Sequence, residues 1–229
     1  DMGAEVSFGQ LWSEGAGIVA ELAVAGWTKQ GAPGAGLASS AASATLCYCF
    51  TGGTTGTSRC VRATHAMALH EVATYPLIAP ELGRGDRVLQ QHSLFWPGST
   101  YGQIDIALAF GCALVFSQAS CASGTAAAVQ AQQVTCAALV PSVLAALEPA
   151  GVPSLRAVFS WGEELQEPVA REWAGRVHLV DVLTSTECWL ALAADWRGYA
   201  AEGGPKPLFR AVRGARVRLR PVDHPGAPC

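Results

Sequence analysis

The sequence predicts an α/β fold with a mainly parallel sheet and helices on both faces. From Thr45 onward, short apolar segments alternate with helical segments, the order that crossovers between parallel strands require. The apolar segments carry few polar residues, as expected for strands that are buried on both faces. Glycine, hydroxyl and carboxylate groups follow three of them, and ligands bind at the carboxyl ends of such strands. A chain of 229 residues is long enough for one such domain.

Composition argues against several classes of protein. The 15 basic and 18 acidic residues give a formal net charge of −3 without a basic tract, so nucleic acid is not an expected partner. The longest strictly apolar piece of the charge-free region, residues 106–116, is too short to cross a bilayer, so no membrane span is expected. The 8 cysteines include no CxxC pair, which favours reduced thiols in a reducing intracellular compartment, an organelle included.

The first 44 residues predict a helix followed by a linker, ahead of a domain over residues 45–229. Apolar side chains such as Leu11, Ile18 and Leu22 have helical spacing within residues 7–27. Residues 31–44 are almost all small, which favours a flexible connector.

The domain that follows is predicted to alternate strands and helices along its length. In chain order, the predicted elements are a strand over 45–50, a helix with Thr64 as N-cap, a strand over 87–92, a helix over 98–109, a strand over 112–116, a helix over 123–133, a strand over 134–140, a helix over 141–148, a strand over 155–161, a helix over 164–174 and a strand over 177–183. Residues 208–221 predict an antiparallel strand pair around Gly214.

The loop after Phe50 is the first candidate site. Its glycines and hydroxyl side chains, followed by Arg59, predict a backbone nest for phosphate oxygens. A Walker loop is excluded because three residues separate Gly52 from Gly56 and no lysine follows. An ordinary glycine-rich surface loop is the alternative.

Two further strand ends carry polar groups, at residues 161–164 and 184–187. Glu163 and Glu187 are the carboxylates best placed to meet a metal-bound nucleotide. The alternative for each glutamate is a charge that faces the dipole at a helix N-terminus.

Three segments together resemble signatures of the adenylate-forming superfamily: FTGGTTGTSR (50–59), LRAVFSWGEEL (155–165) and LVDVLTSTE (179–187). They look most like the adenylation domains of nonribosomal peptide synthetases. The resemblance covers residues 45–222 and implies the central part of the large N-terminal domain of such an enzyme. The family's ribose-binding aspartate motif and its lysine-bearing C-terminal domain have no counterpart in this sequence, so 45–229 is expected to be a partial AMP-binding domain.

The resemblance implies activation of a carboxylic acid by ATP to an acyl-adenylate, often followed by transfer to a thiol. It therefore implies ATP or AMP, Mg²⁺, a carboxylic-acid substrate and a thiol acceptor. Thr186 would meet the α-phosphate and Glu187 would hold the magnesium ion, and both are the candidate catalytic residues. Gly162 and Glu163 would lie beside the adenine, and Asp181 belongs to the same nucleotide-binding set. The residues implied to wrap the leaving phosphates are Thr51, Gly52, Gly53, Thr54, Thr55, Gly56, Thr57 and Arg59.

The sequence also departs from the family pattern. Arg59 replaces a lysine, Leu183 replaces the tyrosine that flanks adenine, and Trp161 replaces a small residue. Residues 94–103 contain no counterpart of the aspartate that receives a substrate's α-ammonium group, so an α-amino acid is not the expected substrate. These departures favour an alternative function, a catalytically degenerate relative that acts as a structural or interaction subunit with protein partners in a larger assembly.

Overall fold

The computed structural model describes residues 18–21, 42–51, 58–197, 199 and 206–216, with the backbone alone for residues 18–21, 100 and 101. The strands are β1 (Ile18–Glu21), β2 (Thr45–Phe50), β3 (Cys60–Thr64), β4 (Arg87–Gln90), β5 (Ala113–Phe116), β6 (Cys136–Leu139), β7 (Ala157–Ser160), β8 (His178–Ser185), β9 (Trp189–Asp195) and β10 (Arg210–Ala211). The helices are α1 (His65–Ile78), α2 (Ile104–Phe110), α3 (Ala122–Gln132), α4 (Pro141–Ala146) and α5 (Glu167–Ala174). A π-helical segment, Gly98–Gln103, leads into α2, and a 3₁₀ turn, Pro149–Gly151, follows α4.

Eight strands form one sheet in the order β1-β5-β4-β6-β7-β8-β9-β10. The pairs β5–β4, β4–β6, β6–β7 and β7–β8 are parallel. Strands β1, β9 and β10 join antiparallel at the two edges. The predicted α/β class is confirmed, and the parallel part of the sheet is its centre.

Helices cover both faces of the sheet, because successive residues of the central strands enter two different cores. Val88 of β4 packs with α1 and α2, whereas Leu89 packs with α3, α4 and α5. Phe159 and Val158 of β7 divide in the same way. The absence of alternation in the strand sequences follows from this double burial.

Strand β2 was predicted to be buried, and this prediction is wrong. β2 pairs antiparallel with β3 in a separate two-stranded sheet, and Leu46, Tyr48 and Phe50 are exposed along it. Of its six residues only Cys49 is buried, against Ala63 and Trp189. The strand propensity of this segment is satisfied by a hairpin rather than by the central sheet.

The chain also departs from prediction at two edges of the central sheet. A helix was predicted over 7–27, but Ile18–Glu21 is a strand that pairs with β5. The rest of that predicted helix, the linker up to residue 41 and residues 217–221 of the predicted C-terminal strand pair lie outside the described residues. Strand β9 was not predicted, and it pairs with β8 along its whole length. The partner of β1 is distant in the sequence, so local periodicity does not reveal β1, whereas the partner of β9 is the strand that directly precedes it.

Among the described residues, no helix combines the length and apolar character that crossing a bilayer requires. No disulfide bond joins the seven cysteines that the structure describes.

The amino ends of β4, β6 and β7 are joined by one carboxylate, that of Asp86, which is 4% exposed. It accepts hydrogen bonds from the Arg156 guanidinium at 2.7 and 2.8 Å, from the Thr135 hydroxyl at 2.7 Å and from the Gly83 amide at 2.8 Å. Burial opposes ionisation, but these hydrogen bonds hold the pKa of Asp86 below its usual value. The network fixes the amino ends of these strands, and the candidate site lies at the opposite, carboxyl ends.

We expect Asp86→Ala to lower the free energy of unfolding by about 2–3 kcal/mol, because it leaves the Gly83, Thr135 and Arg156 donors without the acceptor that they share. The loss should shrink on acidification, since a carboxylate with a lowered pKa stops stabilising the fold once it is protonated. Urea denaturation at pH 7 and at pH 3 measures both effects. Arg171→Ala is the control, because its ion pair with Glu167 is exposed and should contribute less than about 1 kcal/mol. Equal losses from the two variants would contradict this role for Asp86.

Candidate functional site

An open cavity of about 400 Å³ lies where β7 and β8 end. Gly162 follows β7, and Thr186 and Glu187 follow β8, so parallel strands bring both segments to one place. Thr51, directly after β2, reaches the same cavity from the hairpin. Four predicted site residues from three separate segments therefore line a single cavity.

The base of the glycine-rich loop is closed by hydrogen bonds between its two ends. The Thr51 amide donates to the Arg59 carbonyl at 2.9 Å, and the Arg59 amide donates to the Thr51 hydroxyl oxygen at 3.1 Å. The Ser58 hydroxyl donates to the Thr51 carbonyl at 2.7 Å. Arg59 is exposed and is not among the described residues that line the cavity. The predicted site residues Gly52, Gly53, Thr54, Thr55, Gly56 and Thr57 lie outside the described residues.

Gly162 lies in the cavity wall, where two tryptophans, Trp96 and Trp161, are also found. Its φ of +86° lies in the left-handed region, which side-chain-bearing residues rarely adopt. Trp161 is 2% exposed, and its ring packs so closely on Gly102 that a Cβ there would lie 2.6 Å from Cη2. Trp96 also lines the cavity, and its ring packs so closely on Gly98 that a Cβ there would lie 3.0 Å from Cη2. Gly102 and Gly98 therefore make room for the rings of Trp161 and Trp96 at the cavity wall.

The turn from β8 to β9 carries the remaining predicted residues of the cavity. The Cys188 amide donates to the Ser185 carbonyl at 3.2 Å, which closes the turn around Thr186 and Glu187. Trp189 has a φ of +51°, a conformation that costs a bulky residue about 1–3 kcal/mol. Its burial at 3% exposure and its pairing with Ser185 hold it there. The turn is thus fixed, with the Glu187 side chain exposed at the cavity.

Glu163 and Asp181, like Arg59, lie apart from the described cavity lining. The Glu163 carboxylate accepts hydrogen bonds from the amide and the hydroxyl of Ser142, both at 3.0 Å, in the first turn of α4. This is the helix N-terminal arrangement that was the alternative for Glu163. Asp181 is 8% exposed within β8, and burial raises its pKa to about 6 although the charge of Lys206 opposes the shift.

Sequence reasoning missed Glu71, a carboxyl group in the cavity wall. It lies on α1 and is 3% exposed. Its Oε1 accepts a hydrogen bond from the Leu190 amide at 2.8 Å, and its Oε2 lies 3.5 Å from the Tyr75 hydroxyl that donates to it. Burial raises its pKa to about 8, although these two hydrogen bonds oppose the shift. The available signal was a lone acidic residue within an otherwise charge-poor helix.

Asp105 on α2 is a second buried acid beside Glu71. It is 4% exposed, and its Oδ2 atom has no hydrogen-bond partner among the described residues. Burial and the charge of Glu71 raise its pKa to about 9. Both acids are therefore protonated at neutral pH in the folded chain.

These shifted pKa values predict that stability falls as the pH rises. The folded chain keeps a proton on Glu71 between its usual pKa of 4.5 and about 8, whereas the unfolded chain loses it. We expect Glu71→Gln to reduce the decline in unfolding free energy by about 1 kcal/mol per pH unit across pH 5–8. Asp105 acts in the same sense, so part of the slope should remain.

Urea titrations at four pH values test this, with the exposed Glu164→Gln as the matched control. A slope that is the same in wild type and Glu71→Gln would show that Glu71 titrates normally.

Comparison with known proteins extends over almost the whole chain. A family model described as "AMP-binding enzyme" matches residues 12–224. The chain is 34% identical over 142 residues to the nonribosomal peptide synthetase otaB of Aspergillus carbonarius, covering 61% of this chain and 7% of that protein. The matched region thus spans less than a tenth of the length of this relative.

Solved structures agree with the fold. The N-terminal domain of FACL13 from Mycobacterium tuberculosis matches with a TM-score of 0.62 at 20% identity, covering 75% of this chain and 44% of that one. The Vibrio cholerae adenylation domain AlmE, solved with glycyl-adenosine-5'-phosphate, matches with a TM-score of 0.61 at 21% identity, covering 72% and 32%. The resemblance inferred from the three motifs is confirmed: the chain belongs to the AMP-binding enzyme family of adenylate-forming proteins.

Proposed function

We propose that the cavity binds ATP and that the chain takes part in activating a carboxylic acid as an acyl-adenylate. The observation that carries the proposal is the meeting of Thr51, Gly162, Thr186 and Glu187 around one cavity. Membership of the AMP-binding family supports the reaction class. Because the chain spans only part of the relatives it matches, the complete reaction is a proposal for the natural protein that contains it.

The chemistry asks the protein for positioning and charge neutralisation. A carboxylate oxygen of the acid attacks the α-phosphorus of ATP, the bond from that phosphorus to the β-bridging oxygen breaks, and pyrophosphate leaves. Hydroxyl groups of Thr184, Ser185 and Thr186 line the cavity and are suited to donate hydrogen bonds to phosphate oxygens. The partly exposed ring of Trp96 beside Gly162 offers a flat surface for the base. Fixed groups of this kind lower the barrier by holding the reactants in line.

A divalent cation fits this set of residues. Glu187 places a carboxylate in the cavity proposed for phosphates, and the two would repel each other without a cation between them. Among the described residues, no group of three or more His, Cys, Asp or Glu side chains could hold a metal by itself. Magnesium is commonly held by one or two carboxylates together with substrate phosphates. Glu187 would hold it, and the ion would neutralise phosphate charge.

We also infer a thiol acceptor for the acyl group and a reducing compartment for the chain. The first rests on the family resemblance of the three motifs. The second is supported by the seven described cysteines, none of which is in a disulfide. Any further protein partners belong to the same proposal, since the synthetase relative is far longer than this chain.

We expect Glu187→Gln to weaken binding of ATP in the presence of magnesium by about 10-fold or more, because the side chain keeps its shape and loses its charge. Binding without magnesium should change much less. Calorimetry with both forms of ATP measures this, and exchange of pyrophosphate into ATP measures activation across a panel of carboxylic acids.

Glu164→Gln is the matched control, since Glu164 is exposed and does not line the cavity. Folded protein that binds no magnesium-bound ATP would contradict the proposal and favour the degenerate relative.

A further inference from the structure

The inner face of the hairpin formed by β2 and β3 carries two thiols side by side. Cys47 and Cys49 are separated by one residue of β2, so their side chains lie on the same face of the strand. Cys49 is buried with Ala63 and Trp189, and the half-buried Cys47 packs against this group. The two sulfur atoms are 3.7 Å apart. The strand therefore presents a pair of adjacent sulfur atoms on its inner face.

A third sulfur atom belongs to the helix that packs against this face. Met67 lies in the first turn of α1, and its side chain packs against the same small cluster as Cys47 does. Thiolate and thioether sulfurs are soft ligands, which favour soft metal ions over magnesium or calcium. Two elements, β2 and α1, thus contribute three soft ligand atoms to one cluster.

The spacing of the two thiols suits a shared metal ion. A metal–thiolate bond of about 2.3 Å places two sulfur ligands about 3.7–4 Å apart when the angle at the metal is tetrahedral to trigonal. The separation of 3.7 Å between Cys47 Sγ and Cys49 Sγ lies at this value. A disulfide bond would instead require the same two atoms to approach to about 2.05 Å. The pair is thus closer to the geometry of metal ligands than to that of a disulfide.

The small number of ligands decides which metal ion fits. Structural zinc sites and iron–sulfur clusters take four protein ligands. Within the part of the chain that the structure describes, no His, Asp, Glu or further Cys joins Cys47 and Cys49 in a metal-binding group. Burial raises the pKa of the Cys49 thiol, so the ion also has to displace a proton, as a strongly sulfur-binding ion can. Copper(I) prefers sulfur and is stable with fewer ligands, so it fits this set best.

We propose that Cys47, Cys49 and Met67 bind a copper(I) ion on the inner face of the hairpin. Both thiols lose their protons on binding, and the ion joins β2 to the first turn of α1. Because β2 ends at Phe50, next to Thr51, the ion also holds the strand that leads into the glycine-rich loop. None of the three ligands is among the described residues that line the cavity. The metal site is therefore separate from the proposed nucleotide site and does not depend on the proposed function.

The experiment measures binding of copper(I) to the reduced chain in oxygen-free buffer, with the coloured chelator bicinchoninate as competitor. We expect the chain to retain about one equivalent of copper(I), and X-ray absorption to show only sulfur neighbours around it. Cys47→Ser and Cys49→Ser should each weaken this binding about 100-fold or more, because each removes a thiolate. Met67→Leu keeps the size of the side chain and should weaken it about 10-fold.

Cys60→Ser is the matched control on the same hairpin. Cys60 pairs with Phe50, so its side chain lies on the opposite, exposed face of β3, and its loss should leave the copper(I) affinity unchanged. Alkylation followed by mass spectrometry gives a readout that needs no variant. Copper(I) should protect Cys47 from alkylation and leave the exposed Cys60 and Cys121 reactive.

Three results would overturn the inference: folded chain that loses all copper(I) to the competitor, an affinity that Cys47→Ser and Cys49→Ser leave unchanged, or an equal loss from Cys60→Ser. If the Cys49 variant does not fold, X-ray absorption and alkylation of the wild-type chain decide. Oxygen or nitrogen neighbours around the copper, or an unprotected Cys47, then count against the site. Binding of magnesium-bound ATP is measured in parallel, and its absence would contradict the proposed function while leaving the copper site standing.

Discussion

The parallel centre of the sheet is the constraint on which the rest of the molecule depends. Strands β4 to β8 are buried on both faces, so the chain leaves the sheet only at the ends of these strands. All of their amino ends lie at one end of the sheet, and all of their carboxyl ends lie at the other. Segments that are far apart in the sequence, such as Gly162 and Thr186, meet for this reason alone.

The two ends of the parallel strands are built differently. At their amino ends, Asp86 uses both carboxylate oxygens to join the segments that lead into three strands. At their carboxyl ends, Ser160 Oγ and Trp161 Nε1 have no hydrogen-bond partner among the described residues. Trp189 holds a costly backbone conformation there as well. Trp161 and Trp189 both line the cavity, where a ligand can use them.

Local sequence signals predicted the alternating elements and the polar segments that end them, because strand and helix periodicity and glycine positions act within a few residues. Pairing between strands decided the rest. Ile18–Glu21 pairs with β5, which is distant in the sequence, and Trp189–Asp195 pairs with β8, which directly precedes it. The exposure of Tyr48 and Phe50 depended on which sheet β2 joined. The sequence marks Glu71 only as a lone acidic residue in a charge-poor helix, because its place in the cavity wall depends on how α1 packs against β9.

The central claim is that these strand ends form one nucleotide site, and hydrogen exchange tests it most directly. The account predicts that magnesium-bound ATP slows amide exchange together at Thr51, at Gly162 and in the turn from Ser185 to Trp189. Amide exchange near Asp86 and Arg156, at the amino ends of the parallel strands, should stay unchanged. Protection that is absent from folded protein, or that appears at only one of the three segments, would contradict a shared site.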